Sequence, residues 1–170
     1  MQMFRTVLVL GAAGLVGGML FIYLGIFNVA ADAPHTKPAY WLMETIRERS
    51  IGVHARGIAV PSLRNPAQIA SGGVDYNEMC TGCHLEPGVE GSEMASAMYP
   101  QPPNLAEVQR DNPAETFWII KHGVKMSGMP AWGLTHDDDR IWAMVAFLQQ
   151  LPRLTPAQYR ILTAREANDR

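Results

Sequence analysis

Two cysteines, separated by two residues and followed directly by a histidine, constrain this chain more than any other feature. They are the only cysteines in the 170-residue sequence and lie in the segment CTGCH, at residues 80–84. So close a pair gives no disulfide framework that could hold a chain of this length together. The pair must instead serve local chemistry.

The spacing C-x-x-C-H is typical of the covalent attachment of a c-type haem. On one helical turn both thiols reach the porphyrin edge and add across its two vinyl groups, and the next imidazole points at the iron. We therefore predict one covalent haem c, attached to Cys80 and Cys83, with His84 as the proximal iron ligand. Two alternatives are weaker: a thioredoxin-type redox pair expects a βαβ context, and a structural zinc site needs two further ligands with paired spacing.

The N-terminus carries a long apolar run. Residues 6–31 contain no charged side chain, and residues 7–29 exceed the ~20 residues that a helix needs to cross a bilayer. Arg5 precedes the run and no Lys or Arg follows before Lys37, so the positive-inside rule places the N-terminus in the cytoplasm. We predict that residues 1–31 form a single-pass transmembrane anchor and that the rest of the chain is exported.

Two further interpretations of this run stay open. Residues 29–31, VAA, resemble a signal-peptidase site, so the segment could be cleaved instead of retained. Gly14 and Gly18 form a GxxxG pattern, which would let another membrane helix approach closely.

The rest of the chain is predicted to be all-α. Residues 32–70 are interpreted as a juxtamembrane spacer with a short amphipathic helix at residues 40–49. Residues 71–153 are interpreted as a compact three-helix domain, and residues 154–170 as a short C-terminal helix and tail. The first helix of the domain leads into the cysteine pair. An irregular stretch at residues 85–112 is unusually long for a small domain, which is acceptable if it wraps a large ligand.

Helix-capping residues predict the later helices. Asn112 is a candidate N-cap with Pro113 at the first helical position, and Gly123 ends that helix after His122. Another helix is expected from the region of Thr135 and Asp138, a near capping box, to about residue 150, and a last one from Thr155.

The sixth iron ligand is less constrained than the fifth. Met129 lies in a Gly-Met-Pro segment, where the glycine permits a tight turn and the proline stiffens the loop. This favours Met129 modestly over its neighbour Met126, although both could be core methionines. The remaining candidates are His54, His122 and His136.

Residues 71–152 resemble a class I cytochrome c domain of the single-haem bacterial kind, through GGVDYNEMCTGCH, QPPNLAE, PAETFWIIKHGV, KMSGMPAWG and DDDRIWAMVAFLQQL. The resemblance implies that Met129 is the distal ligand and that the carbonyl of Pro103 accepts a hydrogen bond from His84. It also implies that the first and last helices of the domain cross closely, with Gly72 and Tyr76 against Trp142.

The expected function is electron transfer and not catalysis, because a haem with two protein ligands has no open position for a substrate. We expect a carrier between redox proteins at the outer face of the bacterial inner membrane, with its haem domain in the periplasm, because the predicted topology exports this part of the chain. The alternatives are a dedicated subunit of a larger membrane oxidoreductase, and a haem enzyme such as a peroxidase. A net charge of −2 gives no support to nucleic-acid binding. Lys121 and Lys125 could form a basic rim for a partner, or could simply complement a helix dipole.

Overall fold

The computed structural model describes residues 1–164, and every regular element in this part of the chain is helical, which confirms the predicted all-α class. Residues 165–170, the end of the predicted C-terminal tail, lie outside the described residues. The α-helices are α1 Gln2–Tyr23, α2 Lys37–His54, α3 Pro66–Met79, α4 Thr81–His84, α5 Glu93–Ser96, α6 Pro113–His122, α7 Asp138–Leu148 and α8 Pro156–Leu162. Short 3₁₀ turns occupy Trp132–Leu134 and Leu151–Arg153.

The chain divides into two compact units, one comprising residues 1–34 and the other beginning at residue 35. The first unit contains α1, a 22-residue helix with no buried side chain, in which an 18-residue stretch has a mean hydropathy of 2.1. It is long and apolar enough to be a candidate membrane span, as the sequence predicts, although a signal sequence passes the same test. The helix ends at Tyr23, before the apolar run does, and the chain then turns at Gly25, whose φ is 62°.

The second unit is organised by the crossing of α3 and α7. A Cβ atom added to Gly72 would overlap the backbone carbonyl of Ala143, so the two helices touch through their backbones at this point. Beside the contact, Nε and Nη2 of Arg140 donate to the two carboxylate oxygens of the buried Asp75 at 2.8 and 2.6 Å. The crossing therefore fixes α3, the helix that leads into the cysteine pair.

The prediction that Tyr76 packs against Trp142 at this crossing is wrong. Tyr76 packs on Phe147, with ring centroids 5.4 Å apart, whereas Trp142 stacks on Phe117 at 4.2 Å. Residues 142 and 147 lie on different sides of α7, because five residues advance a helix by well over one turn. Trp142 therefore belongs to the packing of α7 against α6.

The predicted caps of the later helices are mostly present. The side chain of Asn112 accepts hydrogen bonds from the backbone N–H groups of residues 114 and 115, and α6 ends before Gly123, whose φ is 64°. Thr155 caps α8 in a reciprocal capping box with Gln158. The start of α7 differs, since Asp137 and not Thr135 caps it by accepting from the N–H of residue 140.

Helix α2 is longer than the helix expected at residues 40–49. Pro38 does not interrupt it because proline is tolerated in the first turn, where its missing N–H has no helical partner. Ile51 is buried, Gly52 faces the side chain of Glu115 on α6, and the ring of His54 lies 5.5 Å from that of Trp118. Helix α2 thus packs on α6 within the second unit.

Candidate haem site

A cavity of about 370 Å³ lies inside the second unit, a volume within the range of small-molecule and cofactor sites. Its walls come from α2, α3, α4, α6 and α7, from the irregular stretch before α6 and from the loop after it. The cavity brings together all five residues predicted for the site, namely Cys80, Cys83, His84, Pro103 and Met129. The long irregular stretch does line the cavity, as a stretch that wraps a ligand must.

The proximal wall, residues 80–85, is a single tight turn. The carbonyl of Cys80 accepts hydrogen bonds from the N–H groups of Cys83 and His84 at 3.1 and 2.8 Å. Leu85 then takes a φ of 63°, which is unusual for a residue with a side chain. The buried hydroxyl of Tyr76 donates to the carbonyls of Leu85 and His84 at 2.7 and 3.2 Å. Burial raises the pKa of Tyr76, so this hydroxyl keeps its proton and its role as donor.

The imidazole of His84 is oriented by a backbone carbonyl. Its Nδ1 lies 2.9 Å from the carbonyl oxygen of Pro103, the pair that the resemblance names. A carbonyl can only accept, so Nδ1 carries the hydrogen and Nε2 keeps its lone pair. Burial lowers the pKa of His84, which keeps the ring neutral, the form that binds a metal. The N–H of Leu105 donates to the backbone carbonyl of His84 at 3.1 Å. This hydrogen bond joins the irregular segment that contains Pro103 to the turn that contains His84.

The two thiols differ in their surroundings. Burial, with added repulsion from Asp75 and Cys83, raises the pKa of Cys80 to about 12, so this group stays a protonated thiol. A protonated thiol is a poor nucleophile in disulfide exchange, which speaks against the dithiol alternative. The sulfur of Cys83 lies 3.3 Å from that of Met94 and 3.9 Å from that of Met98.

The distal wall, residues 123–130, is a loop closed by backbone contacts. The N–H of Val124 donates to the carbonyl of Met129 at 3.3 Å. The hydroxyl of Ser127 donates to the carbonyl of Val124 at 2.7 Å and accepts from the N–H of Met129 at 3.2 Å. A Cβ atom on Gly123 would lie 2.6 Å from the carbonyl oxygen of Met129, so this residue must be glycine for the loop to close. The backbone of Met129 is therefore held in place.

The methionines near this loop face different environments. Met129 lines the cavity and packs against the hydrophobic core. Met126, its rival in the sequence, has a φ of 60° at the tip of the turn, and 86% of it is exposed to solvent. Met98, which sequence reasoning missed, also lines the cavity, and its Cε occupies the space that a Cβ on Gly128 would need. No sequence signal marks Met98, because it lies in irregular chain.

The histidines considered as alternative ligands do not line the cavity among the described residues. His54 and His122 flank the ring of Trp118 at 5.5 and 5.0 Å, and His136 lies against Trp132. Within residues 1–164, no group of three or more His, Cys, Asp or Glu side chains is placed to hold a metal ion. The donors that line the cavity are two thiols, one neutral imidazole and the thioethers of four methionines, Met79, Met98, Met129 and Met144. A covalent haem needs two thiols, an imidazole and one further ligand, so this lining fits it.

The region that builds both walls also matches a known family. Residues 67–148 match the family model described as cytochrome C oxidase, cbb3-type, subunit III. They form a class I c-type cytochrome domain. Haem-based electron transfer is the chemistry of such a domain. No curated protein and no solved structure matches the chain.

One of the two lysines considered for a basic rim, Lys121, forms an ion pair within the cytochrome domain. The Nζ of Lys121 lies 2.6 Å from a carboxylate oxygen of Asp138 and 5.4 Å from the centre of the Phe117 ring. This pairing leaves Lys121 less able to attract an acidic partner.

Proposed function

We propose that this protein is a membrane-tethered electron carrier with one haem c, attached to Cys80 and Cys83 and bound at its iron by His84 and Met129. The carrier passes electrons between redox proteins at the outer face of the bacterial inner membrane, with its N-terminus in the cytoplasm and the cytochrome domain in the periplasm. The supporting observation is that one cavity receives both thiols, the neutral imidazole and the Met129 thioether.

The architecture of both walls suits a carrier. When bound, the haem would supply the reversible one-electron change of its iron, and His84 and Met129 would hold the iron and leave no position for other ligands. The hydroxyl of Tyr76 and the carbonyl of Pro103 fix the backbone and ring of His84, while Gly123 and Ser127 fix the backbone of Met129. Side chains held in this way move little when the iron changes its charge, which favours fast electron exchange.

A second candidate function is a dedicated subunit of a membrane oxidoreductase. The matched family model is described as subunit III of a cbb3-type cytochrome C oxidase, which favours this reading. On α1, no described atom lies within 4 Å of where a Cβ on Gly14 or Gly18 would be, so the GxxxG face is open to another helix. Extraction of membranes in a mild detergent separates the two functions. A subunit copurifies with further redox-active chains in a fixed ratio, and a carrier elutes alone.

The proposed haem site is tested on the full chain, produced together with a haem-attachment system. We expect a pyridine-haemochrome spectrum of the c type and one haem mass that stays on the chain after denaturation and acid extraction. The variant with both Cys80→Ala and Cys83→Ala should lose that mass, and Met94→Ala, next to Cys83, should keep it. A chain without retained tetrapyrrole would refute the proposal, and a high-spin ferric spectrum would support the haem-enzyme alternative.

A further inference from the structure

Helix α2 lies outside the region that matches the cytochrome family, yet it forms part of the cavity. Residues 67–148 match the family, whereas α2 spans Lys37–His54. Tyr40, Arg47 and Ile51 on α2 line the same cavity as the two thiols and His84. The wall that α2 supplies is therefore an addition to the matched cytochrome domain.

A haem bound in this cavity would need positively charged side chains near its carboxylates. A haem carries two carboxylates on the porphyrin edge opposite its two vinyl groups, so attachment to Cys80 and Cys83 directs the carboxylates toward other walls. A carboxylate that leaves water requires a hydrogen-bonded or charged partner. Of the described residues that line the cavity, Arg47 and Arg110 are the only arginines, and no lysine is among them.

The guanidinium of Arg47 is already held in position. Its Nε and Nη2 both lie 2.9 Å from a carboxylate oxygen of Glu48, and Nη2 lies 3.5 Å from Glu44. These contacts leave Nη1 with two N–H groups and no recorded partner among the described residues. The helix itself is anchored one turn later by Ile51, which is 4% exposed. A fixed, half-buried guanidinium with a remaining pair of donors suits a carboxylate.

We propose that Arg47 binds a haem carboxylate and that α2, the helix that follows the apolar N-terminal segment in the sequence, is thereby part of the haem site. This inference rests on the covalent haem of the proposed function. The positive charge of Arg47 opposes the extra positive charge of the ferric iron, so it favours the ferrous form and raises the reduction potential. Glu48 and Glu44 offset part of this effect and keep the side chain oriented.

The test compares two arginines of α2 in the full, haem-loaded chain in detergent. Arg47 lines the cavity, whereas Arg49 is exposed and lies about 200° further around the helix. We expect R47Q to shift the equilibrium three- to tenfold toward the ferric form, at most about 59 mV for one electron. R49Q should shift the reduction potential by less than half as much. R47K, which keeps the positive charge, should retain most of the wild-type potential. The measurement is a spectroscopic redox titration.

Resonance Raman spectra of the haem carboxylate bending modes give a second readout that does not depend on the potential. We expect R47Q to change these bands and R49Q to leave them as in the wild type. Equal potential shifts in R47Q and R49Q would overturn the inference, because the effect would then be the general field of the helix. Should R47Q not accumulate, R47K decides, since it keeps the charge but loses the planar donor pair. Bands in R47K identical to the wild type would refute carboxylate binding by Arg47. A wild-type chain without covalent haem would refute the proposed function instead.

Discussion

The two walls of the proposed haem cavity are built in different ways. The proximal wall places three functional side chains within five consecutive residues on one turn, and its spacing alone indicates its chemistry. The distal wall contributes Met129 from a loop whose shape depends on Gly123 and Ser127, several residues away. The other candidate ligands are Met126, which is 86% exposed, and Met98, which reaches the cavity from the irregular stretch before α6.

The difference shows where sequence spacing carries information. A ligand set on one helical turn is fixed by the local geometry of the helix, so the residue pattern suffices. A ligand on a loop is fixed by how the loop closes, which depends on backbone contacts that no pattern displays. Substitutions in the distal wall should therefore leave the attachment of the haem at the proximal wall intact. The identity of the sixth ligand has to be tested by substituting each candidate methionine.

The largest expected effect is the loss of the proposed distal ligand, Met129. Met129→Ala should abolish the methionine–iron band of the ferric spectrum and lower the reduction potential, because a thioether favours ferrous iron. The covalent haem should remain, since both thiols are on the other wall. Met98→Ala and Met126→Ala are the matched controls and should keep the band. If Met98→Ala loses the band and Met129→Ala keeps it, the ligand is Met98.

The next largest effect concerns the helix crossing that supports the proximal wall. Gly72→Val places side-chain atoms where the backbone of Ala143 lies, and α3 must move away from α7. We expect a loss of about 3 kcal/mol or more in the free energy of unfolding, measured by chemical denaturation. Gly91→Val is the control, because no atom lies within 4 Å of a Cβ at that position. Similar losses in both variants would contradict the crossing described here.

A smaller effect is expected at the base of the distal wall. Gly123→Ala combines a left-handed φ with a collision against the carbonyl of Met129, and should destabilise the protein by about 2–3 kcal/mol. It should also speed the displacement of the methionine by added imidazole, measured by stopped-flow absorbance. Gly57→Ala shares the positive φ, at 82°, but has no neighbour within 4 Å. Faster displacement in both variants would show that the collision is not responsible.

The smallest expected effect tests the hydrogen bonds behind the proximal wall. Tyr76→Phe removes the donor to the carbonyls of Leu85 and His84 and should lower the free energy of unfolding by about 1–3 kcal/mol at neutral pH. Burial raises the pKa of Tyr76 in the folded protein, so above pH 10 only the unfolded chain releases this proton. The wild type should therefore lose stability with rising pH.

The difference between wild type and Tyr76→Phe should narrow by up to about 1.4 kcal/mol per pH unit above pH 10. Thermal denaturation between pH 8 and pH 11 measures it. A difference that stays constant over this range would mean that the hydroxyl ionises in the folded protein as readily as in the unfolded chain.

The capping residues and the haem motif could be predicted from the sequence because each acts over a few positions. Asn112 and Gly123 bound α6 at the predicted residues, and Cys80, Cys83 and His84 line one cavity. The aromatic contact of Trp142 could not be predicted, since the face of α7 that meets α3 depends on the crossing angle. The all-α class followed from the helical patterns. The N-cap of α7 was predicted at Thr135, but Asp137, two residues later, caps the helix.

The contribution of α2 to the cavity was not predicted. The sequence indicated a short amphipathic helix in a spacer, and its pattern does not show which residues it contacts in the folded protein. Only the structure shows that Ile51 is buried, that Gly52 faces Glu115 of α6 and that this helix borders the cavity. Met98 was missed for a similar reason, because long-range placement of irregular chain leaves no periodic signal.

The position of α2 matters for anyone who wishes to handle the protein without detergent. A fragment trimmed to the family boundary at residue 67 would open one side of the cavity to water, since Tyr40, Arg47 and Ile51 would be gone. A fragment that starts near residue 35 keeps that side closed and still discards the apolar helix. Evolutionary boundaries and physical boundaries thus fall about thirty residues apart in this chain, and the physical one should guide where the cut is made.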